Sequence, residues 1–140
     1  MKQVTPLLAL IFIIFLSSCK KNNTPEVVLN EMADSTAMLN YTGMFASGPY
    51  GTVSGEARIL KSDSGNVLKL MSFSSSNGPD LRVYVAKEMY PVTFIDLGAL
   101  KATGGNQVYN ITGMVNFSEY KYALIHCRQY NHLFGWALLQ

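Results

Sequence analysis

Residues 52–59, TVSGEARI, decide the fold because apolar or small residues alternate with polar residues without interruption. Their odd-numbered positions are apolar or small, and their even-numbered positions are polar or charged. Successive side chains of a β-strand point to opposite faces, so this period of two predicts a strand with one buried and one solvated face. The predicted buried face consists of Val53, Gly55, Ala57 and Ile59.

Other short runs have the composition of strands. Residues 81–86, LRVYVA, alternate in the same way, with Leu81, Val83 and Val85 on one face and Tyr84 on the other. Clusters of Gly, Pro, Asn, Asp and Ser separate the runs, as expected of turns. The pattern predicts an all-β fold, a single antiparallel β-sandwich or flattened barrel of about seven to nine short strands. The remaining runs are residues 67–73, 91–97, 108–111, 120–127 and 133–139.

Length and composition exclude several classes of protein. The chain has 140 residues, enough for one domain. Hydrophobic residues make up 49%, which excludes a disordered chain, and charged residues make up only 14%, which fits a secreted β-rich domain. The formal net charge of +2 is too small for a protein that binds nucleic acid through positive charge.

The amino-terminal residues predict a bacterial lipoprotein leader. Lys2 precedes ten apolar residues at 7–16, which are too few to cross a membrane, since a helix needs about 20. The tetrapeptide Leu16-Ser17-Ser18-Cys19 then resembles the lipobox of bacterial lipoproteins. This resemblance implies removal of residues 1–18, a diacylglyceryl group on the Cys19 sulfur and acylation of its amine, for example by palmitate. An ordinary signal peptide with a chance cysteine and an uncleaved anchor are the alternatives.

The predicted lipid would attach the protein to the cell envelope. Lys20 and Lys21 after the cysteine resemble lipoproteins of the Bacteroidota, and the Asp that marks inner-membrane retention in other Gram-negative bacteria is absent from this position. We therefore expect the outer membrane of a Gram-negative bacterium. The expected partners are this membrane and a redox or envelope protein, and not a nucleic acid.

Residues 19–40 are predicted to form a lipidated tether, and residues 41–140 the β domain. The tether begins with a polar run. Val28, Met32 and Leu39 have roughly helical spacing, so a short helix and a disordered spacer both remain open for this segment.

The chain has two cysteines, Cys19 and Cys127. Lipid on the first leaves the second without an intramolecular partner, although paired cysteines are usual in an oxidising compartment. One interpretation is a buried residue that packs as a small hydrophobe. The other is a reactive thiol that ligates an external cofactor, forms a mixed disulfide or is oxidised to sulfenic acid.

Motifs for catalysis and metal binding are weak. The carboxylates are scattered, and the sequence has no phosphate-binding glycine motif, so we expect no enzyme. His126 and His132 flank Cys127, but neighbouring strand residues point to opposite faces, which argues against a copper site. No metal is therefore predicted. We expect His126 to be a packed or hydrogen-bonded strand residue and His132 an exposed loop residue.

Four blocks of sequence, taken in order, resemble the electron-transfer DM-thirteen (DM13) domain family, and together they span about residues 41–139. The first is Gly43-Met44-Phe45 with residues 51–57, the second is residues 73–84 (FSSSNGPDLRVY), the third is residues 97–101 with Gly105-Asn106-Gln107 and Tyr109, and the fourth is residues 127–137.

The resemblance implies an extracytoplasmic β domain whose single cysteine, here Cys127, is redox-active. In animals the domain accompanies cytochrome-like DOMON domains, so a haem, flavin or copper would belong to a partner, and no cofactor is predicted within this chain. His126 departs from the family, in which we expect an aromatic residue before the cysteine. The alternative function is a non-redox module that binds protein or glycan through Tyr50, Tyr90 and Tyr130 and has an inert, buried Cys127.

Overall fold

A computed structural model describes residues 23–140, which form nine strands and no helix. The predicted signal peptide, the lipobox and Cys19 lie outside these residues. The described residues therefore include no helix that could span a membrane. The strands are β1 Val28–Asn30, β2 Met38–Ser47, β3 Val53–Ser62, β4 Gly65–Ser75, β5 Leu81–Ala86, β6 Phe94–Ala99, β7 Gly104–Ile111, β8 Tyr122–Cys127 and β9 His132–Leu138.

The nine strands make one sheet, which curls into a half-barrel. Their order is β1-β7-β4-β3-β2-β9-β8-β5-β6. The short β1 runs parallel to β7, and the other neighbouring strands are antiparallel. The predicted all-β fold is therefore confirmed, in the form of a single curled sheet.

The concave face of the sheet holds the main core, and β3 shows why. Val53, Ala57 and Ile59 are buried, as the alternation predicts. Gly55 lies at a bulge with a φ of +110°, where an added Cβ would meet backbone atoms of β4. The alternation of buried and exposed side chains continues past this bulge because Gly55, which has no Cβ, can adopt the backbone conformation that the bulge requires.

Strand β5 departs from simple alternation. Its Tyr84, predicted to lie opposite the apolar face, is also buried. The Tyr84 ring stacks on Phe94 with centroids 4.4 Å apart, and it packs in a second cluster with Ala86, Leu124 and Leu133. Both faces of β5 are covered because this outer cluster shields the side of the strand that faces away from the main core.

The segment before β2 contains no helix, so the helix considered from the spacing of Val28 and Leu39 is absent. Instead β1 pairs with β7, and Thr103 N–H donates to Pro25 O at 3.0 Å. Outside the named strands, Asn23 pairs with Pro79. We call residues 23–31 the N-terminal strap. The nine residues of the strap, all part of the predicted tether, thus lie against the sheet.

Candidate functional site

Cys127 ends β8 inside the half-barrel. Only 1% of its surface is exposed, and its side chain belongs to the main core. The preceding residue, His126, is also buried, but its ring lies 5.4 Å from that of Tyr84 in the outer region of the sheet. The two side chains therefore diverge, which is the geometry expected of neighbours in a strand.

Residues 77–80, Asn-Gly-Pro-Asp, lie over Cys127, and we call them the cysteine cover. The Cys127 thiol donates a hydrogen bond to Pro79 O at 2.9 Å. The pairing of β5 with β8 aligns Leu81 with Cys127, which brings the residues just before β5 above the sulfur. The backbone of the cysteine cover thus shields the thiol at this end of the half-barrel, in addition to the side chains of the main core.

Polar contacts hold both ends of the cysteine cover. At its carboxyl end, Arg128 Nε lies 2.8 Å from Asp80 Oδ2, and Arg128 N–H donates to Asp80 O at 3.1 Å. Asp80 has a φ of +55°, a backbone conformation that side chains other than glycine, Asn and Asp rarely adopt. At its amino end, Asn77 Nδ2 donates to Thr24 O at 2.9 Å and Asn77 Oδ1 accepts from Thr24 N–H at 3.2 Å.

The ring of Phe134 supports the cysteine cover from below. A Cβ built on Gly78 would lie 2.7 Å from Phe134 Cζ and 3.3 Å from Leu81 Cδ2. Gly51 approaches the same ring closely from the loop between β2 and β3. A Cβ at either position would force the buried ring to shift, so both positions favour glycine.

The environment of His126 matches the predicted packed, hydrogen-bonded strand residue. Its Nε2 lies 2.9 Å from Asn131 Oδ1, which only accepts, so the neutral ring carries its hydrogen on Nε2. Its buried Nδ1 has no partner. Burial lowers the pKa of His126 from its ordinary value of 6.5, an effect that the bond to Asn131 partly opposes and the nearby His132 reinforces.

The prediction that His132 is an exposed loop residue is wrong. His132 begins β9 and is partly buried, and its ring stacks on Tyr50 with centroids 3.6 Å apart. Tyr130 lies beside it, at a centroid distance of 5.9 Å. The structure thus brings Tyr50 and Tyr130 together near the cysteine cover, whereas Tyr90 lies in the β5–β6 connection at the opposite end of β5.

The chemistry open to this arrangement is limited by the bond to Pro79. A thiolate has no hydrogen to donate, so ionisation of Cys127 breaks the bond and leaves two electron-rich atoms close together. Attack by the sulfur on another molecule therefore requires the cysteine cover to move. Among residues 23–140, no group of three or more His, Cys, Asp or Glu side chains is placed to hold a metal ion.

A comparison with protein families decides the relationship suggested by the four sequence blocks. The family described as Electron transfer DM13 matches residues 44–139. The chain belongs to this family. Among curated proteins and solved structures, none matches the chain.

In this DM13 domain, residues of the quoted blocks fulfil identifiable packing roles. Gly51 and Gly78 admit the Phe134 ring, although the three residues come from three different blocks. In the third block, Tyr109 donates to Gln107 Oε1 at 2.7 Å, and the fully buried Gln107 donates to Ala102 O at 2.8 Å. These contacts satisfy polar groups that burial would otherwise leave unpaired.

Sequence reasoning identified Cys127 but missed the groups that enclose it. The carbonyl of Pro79 and the pair formed by Asp80 and Arg128 carried no recognisable signal, because backbone acceptors and surface ion pairs have no sequence pattern. The Gly-Pro-Asp stretch predicts a turn and forms part of a family block, but neither property indicates that it covers a cysteine. Its position over the sulfur depends on the pairing of β5 with β8, which are far apart in sequence.

Replacement of Gly78 by Ala tests the support of the cysteine cover. The new Cβ collides with Phe134 and crowds Leu81, so we expect a loss of about 1–3 kcal/mol in the free energy of unfolding. Gly104→Ala is the matched control, because its Cβ would have no neighbour closer than 3.6 Å. Urea unfolding measures both variants. Equal stability of the two variants would contradict the proposed close packing.

The burial of His126 predicts a dependence of stability on pH. Its folded-state pKa is lowered, so the unfolded chain binds a proton more readily. The free energy of unfolding should therefore fall as the pH drops below about 6.5 and continue to fall down to the folded-state pKa. His126→Gln should flatten this part of the curve, measured by urea unfolding at a series of pH values. An unchanged slope would show that His126 is not responsible.

Proposed function

We propose that this DM13 domain is a lipid-anchored redox module of the cell envelope, in which Cys127 exchanges electrons or thiol partners. The observation that carries the proposal is the position of the Cys127 sulfur, which lies directly beneath a short backbone segment at one end of the half-barrel. The match to the Electron transfer DM13 family supports redox chemistry in general. The assignment of that chemistry to Cys127 is our inference.

A thiol–disulfide exchange with a partner protein fits a single cysteine. After the cysteine cover moves, Cys127 gives its proton to water and attacks one sulfur of a disulfide in the partner. A mixed disulfide forms, and the partner's other sulfur leaves as a thiolate that takes up a proton. Cys127 is the free cysteine of the described chain, so a second thiol from the partner must release it.

In the electron-transfer form of the proposal, the cofactor belongs to the partner. A haem, flavin or copper there would accept the electron that Cys127 loses together with its thiol proton, and would return it in the reverse step. The domain itself would hold no cofactor and catalyse no reaction of its own. The cysteine cover would then protect the sulfur from nonspecific oxidation until the partner docks, because oxidation of a thiol requires access to the sulfur.

A non-redox binding module is the second candidate, and one observation favours it. The Cys127 thiol is buried and hydrogen-bonded, as expected of an inert cysteine. In this case Tyr50 and Tyr130, both more than half exposed, would contact a protein or glycan beside His132. The two candidates differ in whether the cysteine cover opens while the rest of the domain stays folded.

Thiol-labelling kinetics distinguish the two candidates. If the cysteine cover opens locally, Cys127 reacts in the folded protein at a rate that depends little on urea, and Asp80→Asn raises that rate several-fold by removing the partner of Arg128. Asp96→Asn, which breaks the comparable pair with Arg82, is the matched control and should leave the rate unchanged.

The binding-module alternative gives a different result in the same experiment. Labelling of Cys127 then requires global unfolding, so its rate rises with urea in parallel with unfolding. The two Asp variants would then change the labelling rate only as much as they change stability. This outcome would contradict the redox proposal.

Lipid attachment is tested by Cys19→Ala in the full-length chain. The variant lacks the sulfur that would carry the diacylglyceryl group, so we expect it to leave the membrane fraction. Cys127→Ala is the matched control and should remain with the membrane. Mass spectrometry of the mature protein identifies the lipid. Equal membrane retention of both variants would contradict the assignment of Cys19.

A further inference from the structure

The start of the N-terminal strap lies beside the cysteine cover. Asn23 pairs with Pro79, the residue whose carbonyl oxygen accepts the bond from Cys127. Thr24 is joined to Asn77 by two hydrogen bonds, one in each direction. The described chain therefore begins at the end of the half-barrel that carries the candidate site.

The strap is fixed along its length, so its beginning cannot swing to another part of the domain. Pro25 O accepts a hydrogen bond from Thr103 N–H, and β1 pairs with residues 104–106 of β7. Farther along, Lys101 Nζ lies 2.8 Å from Glu31 Oε2. These contacts hold the strap alongside the first residues of β7.

Only a short piece of chain separates this end from the predicted lipid. Residues 20–22 lie between Cys19 and Asn23. Consecutive Cα atoms are about 3.8 Å apart, so four steps cover at most about 15 Å. A lipid on Cys19 would therefore hold the cysteine cover close to the bilayer surface, rather than letting the domain extend several nanometres away.

The side chains exposed at this end suit a lipid surface. Tyr50 and Tyr130 expose 56% and 57% of their surfaces, and both lie next to His132. Tyrosine is enriched where proteins meet the headgroup layer, because its ring is apolar and its hydroxyl is polar. Met114, which is fully exposed, follows the end of β7 at Ile111 and so marks the opposite end of the half-barrel.

We propose that the end of the half-barrel bearing the cysteine cover faces the membrane, with Tyr50 and Tyr130 in contact with lipid headgroups. This inference rests on the proposed lipidation of Cys19. Its consequence is that a partner reaching Cys127 acts at the bilayer surface, where the cover lies. The occupant of the surface is the lipid of the membrane in which the chain is anchored.

Energy transfer to labelled lipid tests the orientation. Full-length lipidated protein in phosphatidylethanolamine–phosphatidylglycerol vesicles carries a donor dye at Gln129→Cys or at Met114→Cys, both in a Cys127→Ser background, and the acceptor is a headgroup-labelled lipid. Gln129 lies just beyond the end of β8 at one end of the half-barrel, and Met114 lies just beyond the end of β7 at the other end. Because these strands have six to eight residues, the two ends are about 20–26 Å apart along the sheet. We expect clearly higher transfer from position 129.

A flexible 20-residue Gly-Ser insertion between Asn22 and Asn23 is the control, and it should reduce the difference between the two labels. Equal transfer from both labels in the lipidated chain without the insertion would overturn the orientation while leaving the redox proposal intact. An unmodified Cys19 in the mass spectrum would overturn the anchoring part of the proposed function and the orientation with it.

Discussion

The packing of residues 77–80 across one end of the half-barrel determines what can reach Cys127. The Phe134 ring packs against this segment at Gly78, where the absence of a side chain leaves room for it. Asp80 pairs with Arg128 at the far end of the segment. Between them, Pro79 O accepts the hydrogen bond from the thiol. Because the contacts come from several strands, the segment is part of the tertiary fold and not an independent loop. In the redox function that we propose, opening of this segment would set the reactivity of the sulfur.

Local patterns predicted much of the fold, and nonlocal contacts explain what they missed. The alternation at residues 52–59 predicted the buried face of β3 because one face of that strand is solvated. Tyr84 did not follow its pattern, since β5 is covered on both faces. The three-residue β1 carries too few residues to show a period, and its partner β7 lies more than 70 residues later.

The sequence likewise predicted only part of the candidate site. With lipid expected on Cys19, the count of two cysteines predicted that Cys127 has no partner, and its place in an apolar strand favoured burial. Its depth, the bond to Pro79 and the proximity of Asn23 could not be predicted, because they depend on how distant strands align. A stretch such as Asn-Gly-Pro-Asp predicts a turn, but not which side chain the turn will enclose.

The folded domain holds Cys127 as a thiol that donates a hydrogen bond to a backbone carbonyl, that of Pro79. The S–H stretch in the infrared spectrum tests it, with Cys127→Ser as the reference for a difference spectrum. Donation to Pro79 weakens the S–H bond, so the band should lie at lower frequency in the folded protein than after unfolding in urea. A missing band, or one with the same frequency in both states, would contradict the account.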